Sequence, residues 1–245
     1  MIDVVTSWGP RGYDLYGRRF LKSFTRFWPA DVRLAVYYEG AGNAPEGVRG
    51  VDLLATEPCR SFLARHANDP TIAGGKPYPG KFWKPKALKA RYNFRFDAYK
   101  FARKVFAIAH AARHASGRLF WIDGDVVTHA PVGANLFDTL LPADAAICHL
   151  PRAGYHSECG FVGFNLAIVN ARWMIESFER VYANDEFFDF DEWHDSYIFD
   201  RMLERHVPVE WQHPIAHRDR SQPFDHSILG RFMTHNKGAR KVVAA

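Results

Sequence analysis

The chain has 245 residues, a formal net charge of +5, and 47% hydrophobic residues, which is enough apolar material for a sizeable core and excludes a disordered chain. No apolar run is long enough to span a bilayer, and Cys59, Cys148 and Cys159 form no CxxC pair, which excludes a disulfide framework or a thiolate zinc site and fits a reducing cytoplasm. The modest positive excess suits an anionic ligand, an anionic membrane surface or nucleic acid.

Residues 2–8, IDVVTSW, read as a first strand buried on both faces and not as a signal peptide. A helix is expected over 13–28, because Tyr13, Tyr16, Phe20, Phe24 and Phe27 recur at spacings of three and four before Pro29. Strand two covers 32–40, and a Gly/Pro/Asn-rich loop follows. Val51 to Leu54 fit a short third strand, and 57–68 a helix. Residues 69–86 read as a long surface loop of the kind that is often functional. The basic cluster at 80–95, GKFWKPKALKARYNFR, interleaves aromatics with cations. It reads as a solvated loop, a phosphate-contacting loop or a nucleic-acid groove, in that order.

A long helix is expected over about 94–115, with Phe94, Ala98, Phe101, Val105, Ile108 and Ala112 on its apolar face. His110 and His114 lie one turn apart on it, with no glutamate between them and no third ligand, so they read as helix surface. Strands follow at 120–122, 126–128 and 144–150, with an apolar, glycine-punctuated stretch at 158–170. Helices are expected over 172–182 and 193–206, and a short strand over 209–213. The tail 231–241 reads as a basic, frayed terminus. The β-α-β-α-β alternation of the first half predicts a mostly parallel α/β sheet with helices on both faces. Such sheets bind ligands at the carboxyl ends of their strands.

At one such end stands FWIDGDVVTHAP, residues 120–131. Asp123 and Asp125, separated by Gly124, repel each other unless a cation sits between them. Hard oxygen ligands on a short tether suit Mg²⁺ or Mn²⁺. The competing reading is a solvated Asp-Gly-Asp turn.

Several stretches together resemble the GT-A-fold glycosyltransferases, in particular small bacterial and phage-type members. They are VVTSWGPRGYDLYGRRFLKSFTRFWP, RFDAYKFARKVFAI with LFWIDGDVVTH, SECGFVGFN with DEWHDSYIFD, and SILGRFMTHNKG. The resemblance spans most of the chain. It implies one GT-A-like domain over 1–245, Rossmann-type, with a nucleotide-binding half to about 130 and an acceptor-side half after it. It also implies hexosyltransferase-type activity on a nucleotide-sugar donor, with UDP as the nucleotide. The acceptor would be a glycan, a lipid-linked compound or a small molecule, and an anionic membrane surface, met by peripheral contact, is a further expected partner. Nucleic acid is not an expected partner.

Carried over residue by residue, Asp123 and Asp125 would hold Mn²⁺ or Mg²⁺ on the diphosphate, and His235 would complete the metal shell. Lys237 and Gly238 would contact phosphate. Thr6, in a loop after strand one, would hold the base or ribose. Arg95, Asp97 and Lys104 would approach the nucleotide sugar. Glu158 is a candidate base or sugar-hydroxyl ligand, with a solvated strand-edge acid as the alternative. Asp195 reads as a general base or a helix cap, supported by His194. Asp191 and Glu192 read as loop surface. Trp8, Trp83 and Trp193 suit stacking or plain packing.

Two other classes fit parts of the chain. DGDVV also matches a phosphohydrolase motif with Asp123 as nucleophile and Asp125 as acid/base, but two β-α units precede it and no adjacent Asp-Asp pair follows. A non-catalytic module for nucleic acid or another anionic ligand would use the basic 80–95 stretch. The twin aspartates oppose it, because without a metal they repel phosphate.

Overall fold

The computed structural model describes residues 1–40, 48–74, 92–216 and 222–238. Most of the basic stretch, residues 80–91 with Trp83, and the glycine-rich loop at 41–47 lie outside the described residues.

A seven-stranded sheet runs in the order β3-β2-β1-β4-β7-β6-β8. Its strands are β1 (Ile2–Trp8), β2 (Arg33–Tyr38), β3 (Arg49–Asp52), β4 (Arg118–Ile122), β6 (Ile147–His149), β7 (Phe161–Asn165) and β8 (Gln212–Pro214). β1, β2, β3 and β4 are mutually parallel, β6 is parallel to β8, and β7 alone runs antiparallel to both its neighbours. β5 (Val126–Thr128) and β9 (Met233–His235) form a separate antiparallel pair. The architecture is thus the mostly parallel α/β sheet expected from the alternating pattern, made mixed by antiparallel β7.

Helices cover both faces, and the two-residue period of the strands decides which side chain meets which layer. Val5, Trp121 and Val162 point to the face covered by α2 (Cys59–Arg65), α3 (Ala98–Arg113), α5 (Val169–Ala183) and α6 (Asp195–His206). Val4, Phe120, Ile122 and Phe161 point to the other, under α1 (Arg18–Phe27) and α4 (Ala134–Leu140). α3 buries Ala98, Ala102, Val105, Phe106, Ala107 and Ile108 against the sheet, and Lys104 stands on the same helix beside the strand ends. Its N-cap is Asp97, whose carboxylate accepts from the Lys100 amide at 2.9 Å.

Several elements differ in extent from the sequence reading. The first helix opens with a wide π-type turn, Tyr13–Gly17, before α1 begins. The long helix starts at Ala98, because a short 3-10 turn at Phe94–Phe96 precedes its cap. α4 had no counterpart in the sequence reading. Its seven residues are too few for a periodic signal. Within the tail Met233–His235 is a paired strand, and the terminus expected to fray, from 239 on, lies outside the described residues. All three cysteines are buried and free.

Candidate functional site

β4 ends at Ile122, and the chain turns through Asp123, Gly124 and Asp125 into β5, with the Val126 amide donating to the Asp123 carbonyl at 3.0 Å. A side chain at Gly124 would stand 3.1 Å from the Ser7 carbonyl and 3.0 Å from the Tyr16 ring, so the turn fits only glycine without adjustment. Two pairings then bring distant residues to this turn. Antiparallel β7 places Gly160 opposite Asp123, whose amide donates to the Gly160 carbonyl at 3.0 Å, and carries Glu158 alongside. The β5–β9 register sets His235 opposite Val126, and the Asn236 amide donates to the Asp125 carbonyl at 3.1 Å.

His235 Nε2 lies 3.1 Å from Asp125 Oδ1 and 3.5 Å from Asp123 Oδ2. Burial alone would lower the histidine pKa, but hydrogen bonds to Asp123 and Asp125 prevail and raise it to about 9. Its Nδ1 is buried without a hydrogen-bond partner among the described residues, 3.7 Å from Glu158 Oε1. Gly160 makes room for the ring, because a Cβ there would collide with it. Glu158 is buried, accepts from the Gly160 amide at 3.2 Å and pairs with Lys237.

On the other side Lys104 Nζ reaches Asp123 at 2.9 Å, Asp195 at 2.7 Å and the Cys159 carbonyl at 2.8 Å. Burial opposes its charge, yet the two carboxylates outweigh burial and hold its pKa above the usual lysine value. Asp123 is the counterpart. Burial would raise its pKa, but Lys104 and His235 hold it well below the carboxylate range. Asp123 Oδ1 also accepts from the Trp121 indole at 2.7 Å. One oxygen of Asp123 is therefore held by protein, and the other faces His235.

Asp123, Asp125 and His235 can offer three ligand atoms within 4.8 Å of one another. The donor set, two carboxylates and one imidazole, suits Mn²⁺ or Mg²⁺. Without an ion, a proton on His235 offsets the charge of the two carboxylates on that side. The residues present fit a divalent cation.

Two clefts meet at this turn. One, of about 330 Å³, is lined among others by Lys104, Glu158, Asp195, His194 and Lys237. The other, of about 370 Å³, is lined by Trp8, Tyr16, Glu39, Arg103 and Trp121, and both share Lys104, Phe101, Asp123 and Asp125. Tyr16 is pushed up to about 12, first by burial and then by Asp125 and Asp123.

The structure thus gathers Asp123, Asp125, His235, Lys104, Glu158, Asp195, His194, Lys237 and Gly238 at one place, Gly238 in the left-handed region at φ 59°. Other expected residues stand elsewhere. Thr6 lies inside β1 and not in a loop. It is fully buried, and Ser7, Trp8 and Gly9 line the cleft instead. Arg95 pairs with Glu192 at 3.0 Å and lines neither cleft. Asp97 is spent on the α3 cap and on the Tyr92 hydroxyl at 2.9 Å. Trp193 is core, packed edge-on against Phe96 and Phe187. Glu192 is not loose surface, since its other oxygen meets His194 at 2.8 Å. Tyr16, Trp121, Arg152 and Gly160 belong to the site without having been singled out. Tyr16 and Trp121 sat inside apolar patterns, and only the glycine punctuation of 158–170 hinted at Gly160.

No family model matches the chain, and no curated protein matches it. Among solved structures it is similar to mouse xyloside xylosyltransferase 1 in its apo form, with a TM-score of 0.50 and 11% identity over 88% of this chain and 85% of that one. The fold, a mostly parallel α/β sheet flanked by helices, is of the GT-A-like, Rossmann type seen in that structure. At that identity the likeness speaks for the fold alone, and residue roles rest on the geometry above.

Proposed function

We propose that the chain is a metal-dependent glycosyltransferase acting as one GT-A-like domain. It would move a sugar from a nucleotide-diphosphate donor, a UDP-sugar, to a hydroxyl of a glycan, lipid-linked or small-molecule acceptor. The observation that supports this most is the Asp123–Asp125–His235 cluster, joined to the half-buried Lys104 at the strand ends where two clefts meet. Those three side chains would hold Mn²⁺ or Mg²⁺, which would offset the charge that develops on a departing diphosphate. Lys104 and Lys237 add fixed positive charge around the same place. Trp121 and Lys104 hold Asp123 so that one oxygen stays directed at His235.

The cleft walled by Trp8 and Tyr16 suits the nucleoside, and the one walled by Glu158, His194 and Asp195 suits the sugar and acceptor. Glu158 and Asp195 act first as counter-ions that fix Lys237 and Lys104. A general-base role for Asp195 needs an acceptor hydroxyl to displace Lys104 from it.

The experiment is thermal melting with nucleotides and nucleotide sugars, each with and without Mn²⁺. Stabilisation by UDP or a UDP-sugar that requires Mn²⁺ is expected. Stabilisation by GDP instead would change the donor. Release of phosphate from small phosphoesters, without any nucleotide effect, would overturn the reading in favour of a hydrolase.

A further inference from the structure

We propose that His156, Glu192 and His194 form a second metal site, separate from the aspartate pair and suited to Zn²⁺. Each of the three can offer one ligand atom, and these atoms lie within 4.8 Å of one another. Glu192 Oε2 is the hub, 2.8 Å from His194 Nε2 and 3.7 Å from His156 Nε2. Tetrahedral coordination with bonds of about 2.05 Å sets neighbouring ligand atoms about 3.4 Å apart, between these two separations. The donor set differs in kind from that of the first site. Two imidazoles and one carboxylate prefer Zn²⁺ over the oxygen-seeking Mg²⁺.

The surroundings match those of a metal-binding histidine. His156 turns its second nitrogen, Nδ1, toward Asp200 Oδ2 at 3.4 Å, and that oxygen is itself fixed by the Ser157 amide at 3.0 Å. A carboxylate behind a histidine selects the tautomer whose other nitrogen is free to bind metal. Arg95 takes the remaining oxygen of Glu192 at 3.0 Å, which leaves Oε2 for the ion.

The ion would tie together two segments far apart in sequence. His156 lies two residues before Glu158, and His194 lies immediately before Asp195. A metal across them fixes the rim of the sugar-side cleft on both sides, so Zn²⁺ here is a staple that positions the two carboxylates and does not itself touch the donor.

The test is zinc stoichiometry and affinity of the full chain, read by titration calorimetry and by the visible absorption of Co²⁺ as a substitute. His156→Ala is expected to bind one equivalent fewer than wild type. Glu192→Gln, which preserves volume, should lose the same equivalent and guards against a folding defect in the first variant. Asp200→Asn should weaken that equivalent about 10- to 100-fold through the histidine it orients. Zinc held adventitiously by the stacked pair His110 and His114 is unaffected by these changes, so the difference isolates the site. An unchanged stoichiometry in both His156→Ala and Glu192→Gln overturns the proposal. Asp125→Asn removes a different equivalent, so failure of that variant to lose metal would count against the transferase reading and leave this one standing.

Discussion

Asp125 offers the most direct handle on the proposed metal centre. Asp125→Asn keeps the size of the side chain and the backbone contacts to Asn236, and removes only the charge facing His235. Donor turnover should fall at least 100-fold, about 2.7 kcal/mol of transition-state stabilisation. Steady-state rates with and without Mn²⁺ measure it, and a fully active variant would remove the metal from the mechanism. His235 adds a pH dependence whose sign follows from its raised pKa of about 9. In the metal-free protein the imidazolium stabilises the fold fully below about pH 6.5, and this contribution is lost as pH rises through about 9. Metal binding runs the opposite way, because the ion needs the neutral ring. Mn²⁺ affinity should therefore climb with pH by up to tenfold per unit below about 9 and level off above it. Asp123, held far below that range, adds no slope there. Calorimetric Mn²⁺ titrations from pH 6.5 to 9.5 would show this climb with proton release, and a flat affinity would place His235 outside the metal shell. Lys104→Met should destabilise the metal-free protein by about 3–5 kcal/mol, since it removes the cation that Asp123 shares with the buried Asp195. The midpoint of urea unfolding reports it.

At the scale of elements, what could be foreseen depended on how local the signal was. Asp123 and Asp125 were legible because an apolar run ending in two close carboxylates is a short-range pattern. β1 was legible to the residue for the same reason. His235 was reachable only through resemblance. Its place depends on the pairing of β5 with β9, more than a hundred residues apart, and nothing in MTH taken alone announces a strand. Glu158 likewise owes its position to antiparallel β7, whose direction an alternating β-α pattern does not reveal. Arg95 and Asp97 were misplaced because a cap and a surface ion pair use the same residue types as a binding site. The close approach of β7 to β9 gives a prediction of its own. Gly160→Ala would drive a methyl group into the His235 ring. The strand keeps its backbone pairing, so the melting temperature should drop only modestly while Mn²⁺ affinity falls tenfold or more. Equal Mn²⁺ binding in the variant and wild type would show that the ring can move aside without cost, and that the glycine is not what seats the histidine.

Across the whole molecule, the centre is assembled from chain segments that the fold alone brings together: the end of β4, the start of β7, the middle of α3, the start of α6 and the strand β9. None of these segments holds a complete ligand set by itself, so the unfolded chain has little affinity for the ion or the nucleotide. A ligand that binds only the folded state raises its stability by an amount set by concentration over dissociation constant, about 2.7 kcal/mol at a hundredfold excess. For a chain of this size each kcal/mol moves the melting temperature by about 2–4 °C. Saturating Mn²⁺ with UDP should therefore raise it by roughly 5–10 °C. On the proposed reading the aspartates and the donor would share one ion, so Mn²⁺ alone or UDP alone should each give much less than the pair, and the excess over their sum measures the coupling. Asp125→Asn should abolish that excess while leaving any metal-free effect of the nucleotide in the Trp8–Tyr16 cleft. Additive shifts in the wild-type chain would mean that nucleotide and ion occupy separate places, and the shared-site reading would fall with them.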